Sequence, residues 1–148
     1  MIDDCKLLMR AVDVAHRCPP SVTAFSVGAL VVTADGTVLS EGWSRMNDPH
    51  DHAEEAALAA LGPGWRAPPG ATVYSSLEPC SVRTSRARTC TELILAAEVV
   101  RVVFAWHEPL IFVDCAGAEL LRAEGVEVVE IPELAEEVRA VNRHLLIR

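Results

Sequence analysis

Thr72-Val73-Tyr74-Ser75-Ser76-Leu77-Glu78-Pro79-Cys80, followed across a polar loop by Cys90-Thr91-Glu92-Leu93-Ile94-Leu95-Ala96-Ala97, is the stretch whose reading settles the fold. Thr72 to Ser76 reads as a strand, Leu77-Glu78-Pro79 ends it, and Thr91 to Ala97 reads as a helix. Arg101 to Trp106 then supplies another apolar strand. A helix between two strands of one sheet makes them parallel neighbours joined by a right-handed crossover. One cysteine falls at the tip of the strand and the other where the helix opens.

The pattern extends in both directions. Asp3 to Cys18 has apolar residues at Leu7, Leu8, Ala11, Val12 and Ala15, the period of an amphipathic helix, and Pro19-Pro20 stops it. Val27 to Thr33 and Val38 to Trp43 flank the turn Ala34-Asp35-Gly36-Thr37 as a β-hairpin. Ala53 to Leu61 is an alanine-rich helix that Gly62-Pro63-Gly64 ends. Beyond Trp106 come a helix over Gly117 to Ala123, a strand over Val126 to Ile131 and a last amphipathic helix over Leu134 to Leu145. The order α-β-β-α-β-α-β-α-β-α predicts an α/β fold. Its three layers, α/β/α, enclose a five-stranded mixed sheet whose third, fourth and fifth strands are parallel.

Length and composition bound the function. The 148 residues are expected to form one domain, 1–148, with no Ser/Gly-rich linker. Hydrophobic residues make up 51% and aromatics 5%, so Ala, Val and Leu must fill the core. A net charge of −8 argues against a broad nucleic-acid footprint, which needs Lys and Arg to displace counterions. Asp3 and Asp4 are wrong for a signal peptide, and no apolar run approaches a membrane span, so a cytoplasmic location is expected. The five cysteines then read as thiols, with Cys5, Cys18 and Cys115 as small core residues.

Cys80 and Cys90 read differently because of His52-Ala53-Glu54 on the first turn of the alanine-rich helix. One imidazole and two thiolates suit Zn²⁺, and three protein ligands leave a fourth position for water, as in catalytic sites. Glu54 is the carboxylate placed to move that water's protons. His-x-Glu with Pro-Cys and a second Cys is the signature of zinc deaminases. There two residues separate the cysteines; here nine do, Ser81 to Thr89, which costs little extra closure entropy. Cys90 opens a helix, whose positive end favours a thiolate.

The chain resembles the cytidine-deaminase-like superfamily, and within it the pyrimidine deaminase of riboflavin biosynthesis. The resemblance runs through Val27-Gly28-Ala29, His52-Ala53-Glu54, Leu77-Glu78-Pro79-Cys80-Ser81, Cys90-Thr91-Glu92-Leu93-Ile94, Arg101-Val102-Val103 and Ala123-Glu124-Gly125-Val126. It implies His52, Cys80 and Cys90 as zinc ligands, Glu54 as acid/base, an aminopyrimidine substrate and a homodimer. The reductase domain often fused to this deaminase is not expected here.

The substrate pattern departs from that family. Thr23-Ala24-Phe25 stands where an Asn between prolines is usual, and Val82 replaces a His after the first cysteine. Glu108-Pro109-Leu110-Ile111 replaces Asp-Pro-Asn-Pro. Arg83, Arg86 and Arg88 lie within six residues and make a candidate phosphate grip; a solvated loop is the plainer alternative. Asn47, His50, Trp106 and His107 are further candidates for touching substrate, with turn formation or core packing as their alternatives. The substrate stays open between an aminopyrimidine nucleotide and cytidine, deoxycytidylate or another aminated heterocycle. A non-catalytic zinc module is the alternative from a different class.

Overall fold

The computed structural model describes residues 2–84, 86–107 and 116–146. Among them the predicted order holds: α1 (Asp4–Ala15), β1 (Gly28–Val32), β2 (Val38–Trp43), α2 (Ala53–Ala59), β3 (Thr72–Leu77), α3 (Cys90–Ala96), β4 (Arg101–Trp106), α4 (Gly117–Ala123) and β5 (Glu127–Glu130). The sheet runs β2-β1-β3-β4-β5, with β1 antiparallel to both neighbours and β3, β4 and β5 parallel. Period-two alternation divides its side chains between two cores. Ala29, Val31, Val73, Leu77 and Val102 face α2, α3 and α4, while Leu30, Val32, Tyr74, Val103 and Ala105 face α1 and the C-terminal helix. The central strands are buried on both faces, as a sheet between two helical layers requires.

The predicted last helix, Leu134 to Leu145, is broken instead. A 3₁₀ turn (Pro132–Leu134) leads into α5 (Ala135–Val141) and, past Asn142, a short α6 (Arg143–Leu146). Asn142 is buried and its amide pairs with Ser26: Oδ1 accepts from the Ser26 N–H at 2.6 Å, and Nδ2 donates to the Ser26 carbonyl at 3.1 Å. That long-range pairing outweighs helix continuity, and the backbone there departs to φ −107°, ψ 15°. Two cysteines also differ from expectation: Cys5 is exposed on α1, and Cys18 is half-buried with its thiol on the Val27 carbonyl. Cys115 lies outside the described residues.

Two glycines let helices lie directly on their neighbours and so position the site. A Cβ on Gly42 of β2 would overlap the Ala53 carbonyl and the Ala57 amide of α2. A Cβ on Gly117 would overlap the Pro79 carbonyl, next to Cys80. Neither position has room for a methyl group.

Candidate functional site

The strand-to-helix junctions carry the chemistry. His52 is the N-cap of α2, and Glu54 lies in its first turn, buried against β3. Cys80 follows the end of β3, where Thr91 fixes its carbonyl through both amide (3.2 Å) and hydroxyl (2.7 Å). Cys90 opens α3, whose start is fixed by a reciprocal cap: Thr89 Oγ1 accepts from the Glu92 N–H, and Glu92 Oε1 accepts from the Thr89 N–H.

These junctions bring three donors together. His52 Nδ1 lies 3.4 Å from Cys80 Sγ and 3.4 Å from Cys90 Sγ, and all three ligand atoms fall within 4.8 Å of one another. Zinc held tetrahedrally at ~2.3 Å from sulfur and ~2.1 Å from nitrogen separates the two donors by about 3.5 Å. The observed spacing fits, and Nδ1 is the nitrogen that faces the sulfurs. Both cysteines are buried, and the Cys90 amide donates to Cys80 Sγ at 3.2 Å.

The two thiols are pushed in opposite directions. A hydrogen bond from Cys90 takes the Cys80 thiol down to about 4, aided by His52 against burial. Cys90 is pushed well up, first by that same hydrogen bond and then by burial. The thiolate is thus favoured at Cys80 and not at the helix-opening Cys90 that the sequence favoured, because the hydrogen bond with Cys80 and then burial outweigh a helix end of two turns. His52 is pulled down by burial, but Cys80 and Glu54 outweigh it and raise it overall.

Glu54 is the buried carboxyl beside these donors. Burial and then the Cys80 charge raise it above the ordinary carboxylate range. The Ser75 hydroxyl, 2.7 Å from the Leu77 carbonyl, also lies 3.2 Å from Glu54 Oε2 and can donate to it. Sequence reasoning passed over Ser75, because a serine within a strand carries no motif.

A cavity of about 500 Å³ opens over the group, lined by His52, Glu54 and Cys80, with His50, Arg45 and Val82 among its other walls. The remaining expected substrate residues divide. Arg83 also lines this cavity, but its side chain is only 2% exposed; it donates to Glu55 Oε1 at 2.7 Å and to the His50 carbonyl at 2.6 Å. Arg86 pairs with Asp48, Asp51 and Glu55 at 3.2–3.3 Å. Arg88 is exposed beside a separate groove with Trp65 and Leu93. Asn47 is exposed outside the cavity and its amide donates to Asp51 Oδ2 at 2.9 Å. Trp106 packs edge-on to Phe25 at 6.0 Å, behind the cavity wall. His107 lies between Glu78 and Glu130, 3.0 Å from each. Glu108 to Ile111 lie outside the described residues.

The missed partner is Glu55. It joins both arginines and accepts the His52 N–H at 3.2 Å. Its signal was available: a glutamate three residues past the residue before a helix commonly returns to that residue's amide.

The fold and its donors define a zinc-binding α/β domain with an open cavity. Residues 1–106 match the model of the cytidine and deoxycytidylate deaminase zinc-binding region, and the chain belongs to that family. A diaminohydroxyphosphoribosylamino-pyrimidine deaminase of Schizosaccharomyces pombe is 39% identical over 125 residues, covering 83% of this chain and 31% of its own length. A cytosine deaminase of Candida albicans is 33% identical over 134 residues, covering 87% of this chain and 81% of its own. In solved structures, a diaminohydroxyphosphoribosylaminopyrimidine deaminase/reductase from Thermotoga maritima superposes with a TM-score of 0.78 at 30% identity, over 97% of this chain and 40% of its own. The chain spans about a third of the length of the first of these relatives. Among the described residues, no helix is long and apolar enough to cross a membrane.

Proposed function

We propose that residues 1–148 form one hydrolytic deaminase domain that replaces the exocyclic amino group of an aminopyrimidine with a carbonyl, releasing ammonia. The observation that carries it is the convergence of His52, Cys80 and Cys90 beside buried Glu54 on the floor of one cavity. Kinship with pyrimidine deaminases supports the substrate class.

In this reading His52, Cys80 and Cys90 hold zinc, which when bound supplies a Lewis acid that acidifies a water to near neutrality. Glu54 accepts a proton from the attacking water and passes it to the ring nitrogen beside the amino-bearing carbon. As the C–N bond breaks, Glu54 takes the proton of the new hydroxyl, which becomes the carbonyl, and delivers it to the leaving nitrogen, which departs as ammonia. The raised affinity of Glu54 for protons suits both transfers, and Ser75 orients its Oε2. The buried cavity floor excludes bulk water from these exchanges.

A second reading keeps the chemistry with a cytosine-type base as substrate. The Candida albicans relative and the Thr23-Ala24-Phe25 wall favour it. A homodimer, which the family resemblance implies, and a cytoplasmic location are part of the proposal; light scattering after size exclusion tests the dimer. The central experiment measures zinc per chain and ammonia release across bases, nucleosides and nucleotides. One zinc per chain and turnover of some member are expected. Full activity in Glu54→Ala would defeat the mechanism.

A further inference from the structure

Two of the loop arginines are neutralised before any ligand arrives, since Arg83 and Arg86 already face Glu55, Asp51 and Asp48. Arg88 turns to the other groove. The cavity wall holds another arginine. We propose that Arg45 is the anion-binding residue of the cavity, so that the substrate carries an oxyanion tail, a phosphate monoester or a carboxylate, that reaches its guanidinium. This rests on the deaminase reading for the rest of the substrate, but not for the binding of the tail.

Four observations support it. Arg45 lines the same cavity as His52, Glu54 and Cys80. Its guanidinium is fixed by neutral acceptors alone: the Pro19 carbonyl at 3.1 and 2.8 Å, the Phe25 carbonyl at 3.3 Å and Ser26 Oγ at 3.0 Å. No described carboxylate forms an ion pair with it. Those contacts occupy four of the five guanidinium N–H groups and leave one on Nη1 for a ligand.

Carbonyls orient an arginine but leave its full positive charge in place, and a half-buried positive charge in a cleft attracts anions. Burial lowers the Arg45 pKa, which marks a charge with incomplete solvation. The backbone is committed too: Arg45 adopts φ 59°, a left-handed conformation unusual outside glycine, held by its N–H on the Asp51 carbonyl at 2.8 Å. The volume of about 500 Å³ leaves room beyond one six-membered ring. The opposing view is that Arg45 only clamps the 19–26 loop.

Titration calorimetry of the zinc-loaded full chain decides, with ribose 5-phosphate, ribonate and neutral ribose as probes. Ribose 5-phosphate should bind more tightly than ribose, and its affinity in Arg45→Gln should fall about 10- to 100-fold, the worth of a charged hydrogen bond. Arg45→Lys should recover part of that affinity, because the charge remains though the forked clamp is lost. Arg86→Gln should bind as the parent does. Ribonate binding as tightly as ribose 5-phosphate would assign a carboxylate tail; weaker ribonate binding would assign phosphate. Equal binding of ribose and ribose 5-phosphate would overturn the proposal. So would undiminished binding in Arg45→Gln, or a loss in Arg86→Gln matching that in Arg45→Gln. Arg45-dependent binding in a chain that releases no ammonia from any substrate would remove the deaminase reading and leave the anion site standing.

Discussion

Replacing Glu55 with alanine tests how the loop between the cysteines is held. Glu55 Oε1 accepts from Arg83 at 2.7 Å and from the His52 N–H at 3.2 Å, while Oε2 accepts from Arg86 at 3.3 Å. Removing one partner of a buried ion pair costs about 3–5 kcal/mol, because the other charge is left behind. Arg83 is 2% exposed and qualifies as buried, but Glu55 is 20% exposed and screened accordingly. Arg83 also keeps the His50 and Arg88 carbonyls. Screening and the remaining acceptors bring the cost below that range, to about 2–3 kcal/mol, which for a chain of this size lowers Tm by about 5–10 °C. Because His52 loses the acceptor of its amide, zinc affinity should also fall about 10- to 100-fold in a competitive chelator titration. The pH dependence gives a second check. Burial alone would raise the Glu55 pKa, but Arg83, the His52 amide and Arg86 outweigh it and hold it below 4.5. A group with a depressed folded-state pKa stabilises fully above its unfolded value and loses that contribution as pH falls through the folded one. The Tm difference between parent and variant should therefore be full at pH 7 and shrink below about pH 4.5. A variant melting within ~2 °C of the parent, or a difference flat with pH, would refute the ion-pair account.

Three other outcomes follow from the same geometry. Glu54→Gln should retain zinc by elemental analysis and lose about 10²–10⁴-fold in kcat, the usual worth of general acid–base catalysis. Gly42→Ala should cost about 1–3 kcal/mol by chemical denaturation, since the new methyl strikes the backbone of α2 and must displace the helix that carries His52. Zinc binding at pH 7 should release about one proton or more, because the raised Cys90 thiol must ionise and any protonated His52 must discharge. Calorimetry in buffers of different ionisation enthalpy reads that number; binding without proton release would contradict the raised Cys90 thiol.

The layers and metal donors were legible because local rules decide them. Period-two runs with apolar side chains specify strands whatever surrounds them, and β3, β4 and the β1–β2 hairpin fall where the pattern places them. Three metal-binding side chains at strand tips and helix starts have few other uses, so His52, Cys80 and Cys90 stand out in the sequence. The last helix could not be read as well. Nothing near Asn142 announces that Ser26, 116 residues away, will take its amide and interrupt the helix.

Charge on the cavity wall fails to be legible for a related reason. In sequence, Arg83-Thr84-Ser85-Arg86-Ala87-Arg88 looks like a basic grip, because the eye counts charges along the chain. In space the potential depends on which carboxylates lie opposite, and Asp48, Asp51 and Glu55 belong to another segment, the start of α2. Their pairing ties Arg83 and Arg86 to the segment that opens the His52 helix, while Arg83 still lines the cavity. The same folding places Arg45, isolated in sequence, against carbonyls that cannot neutralise it. An ion pair at ~3 Å cancels most of the field either partner sends into a cleft, whereas a carbonyl dipole cancels little of a full charge. If Arg45 binds the substrate's tail as proposed, substrate choice depends less on the number of basic residues in a motif than on which of them the fold leaves without an acidic partner.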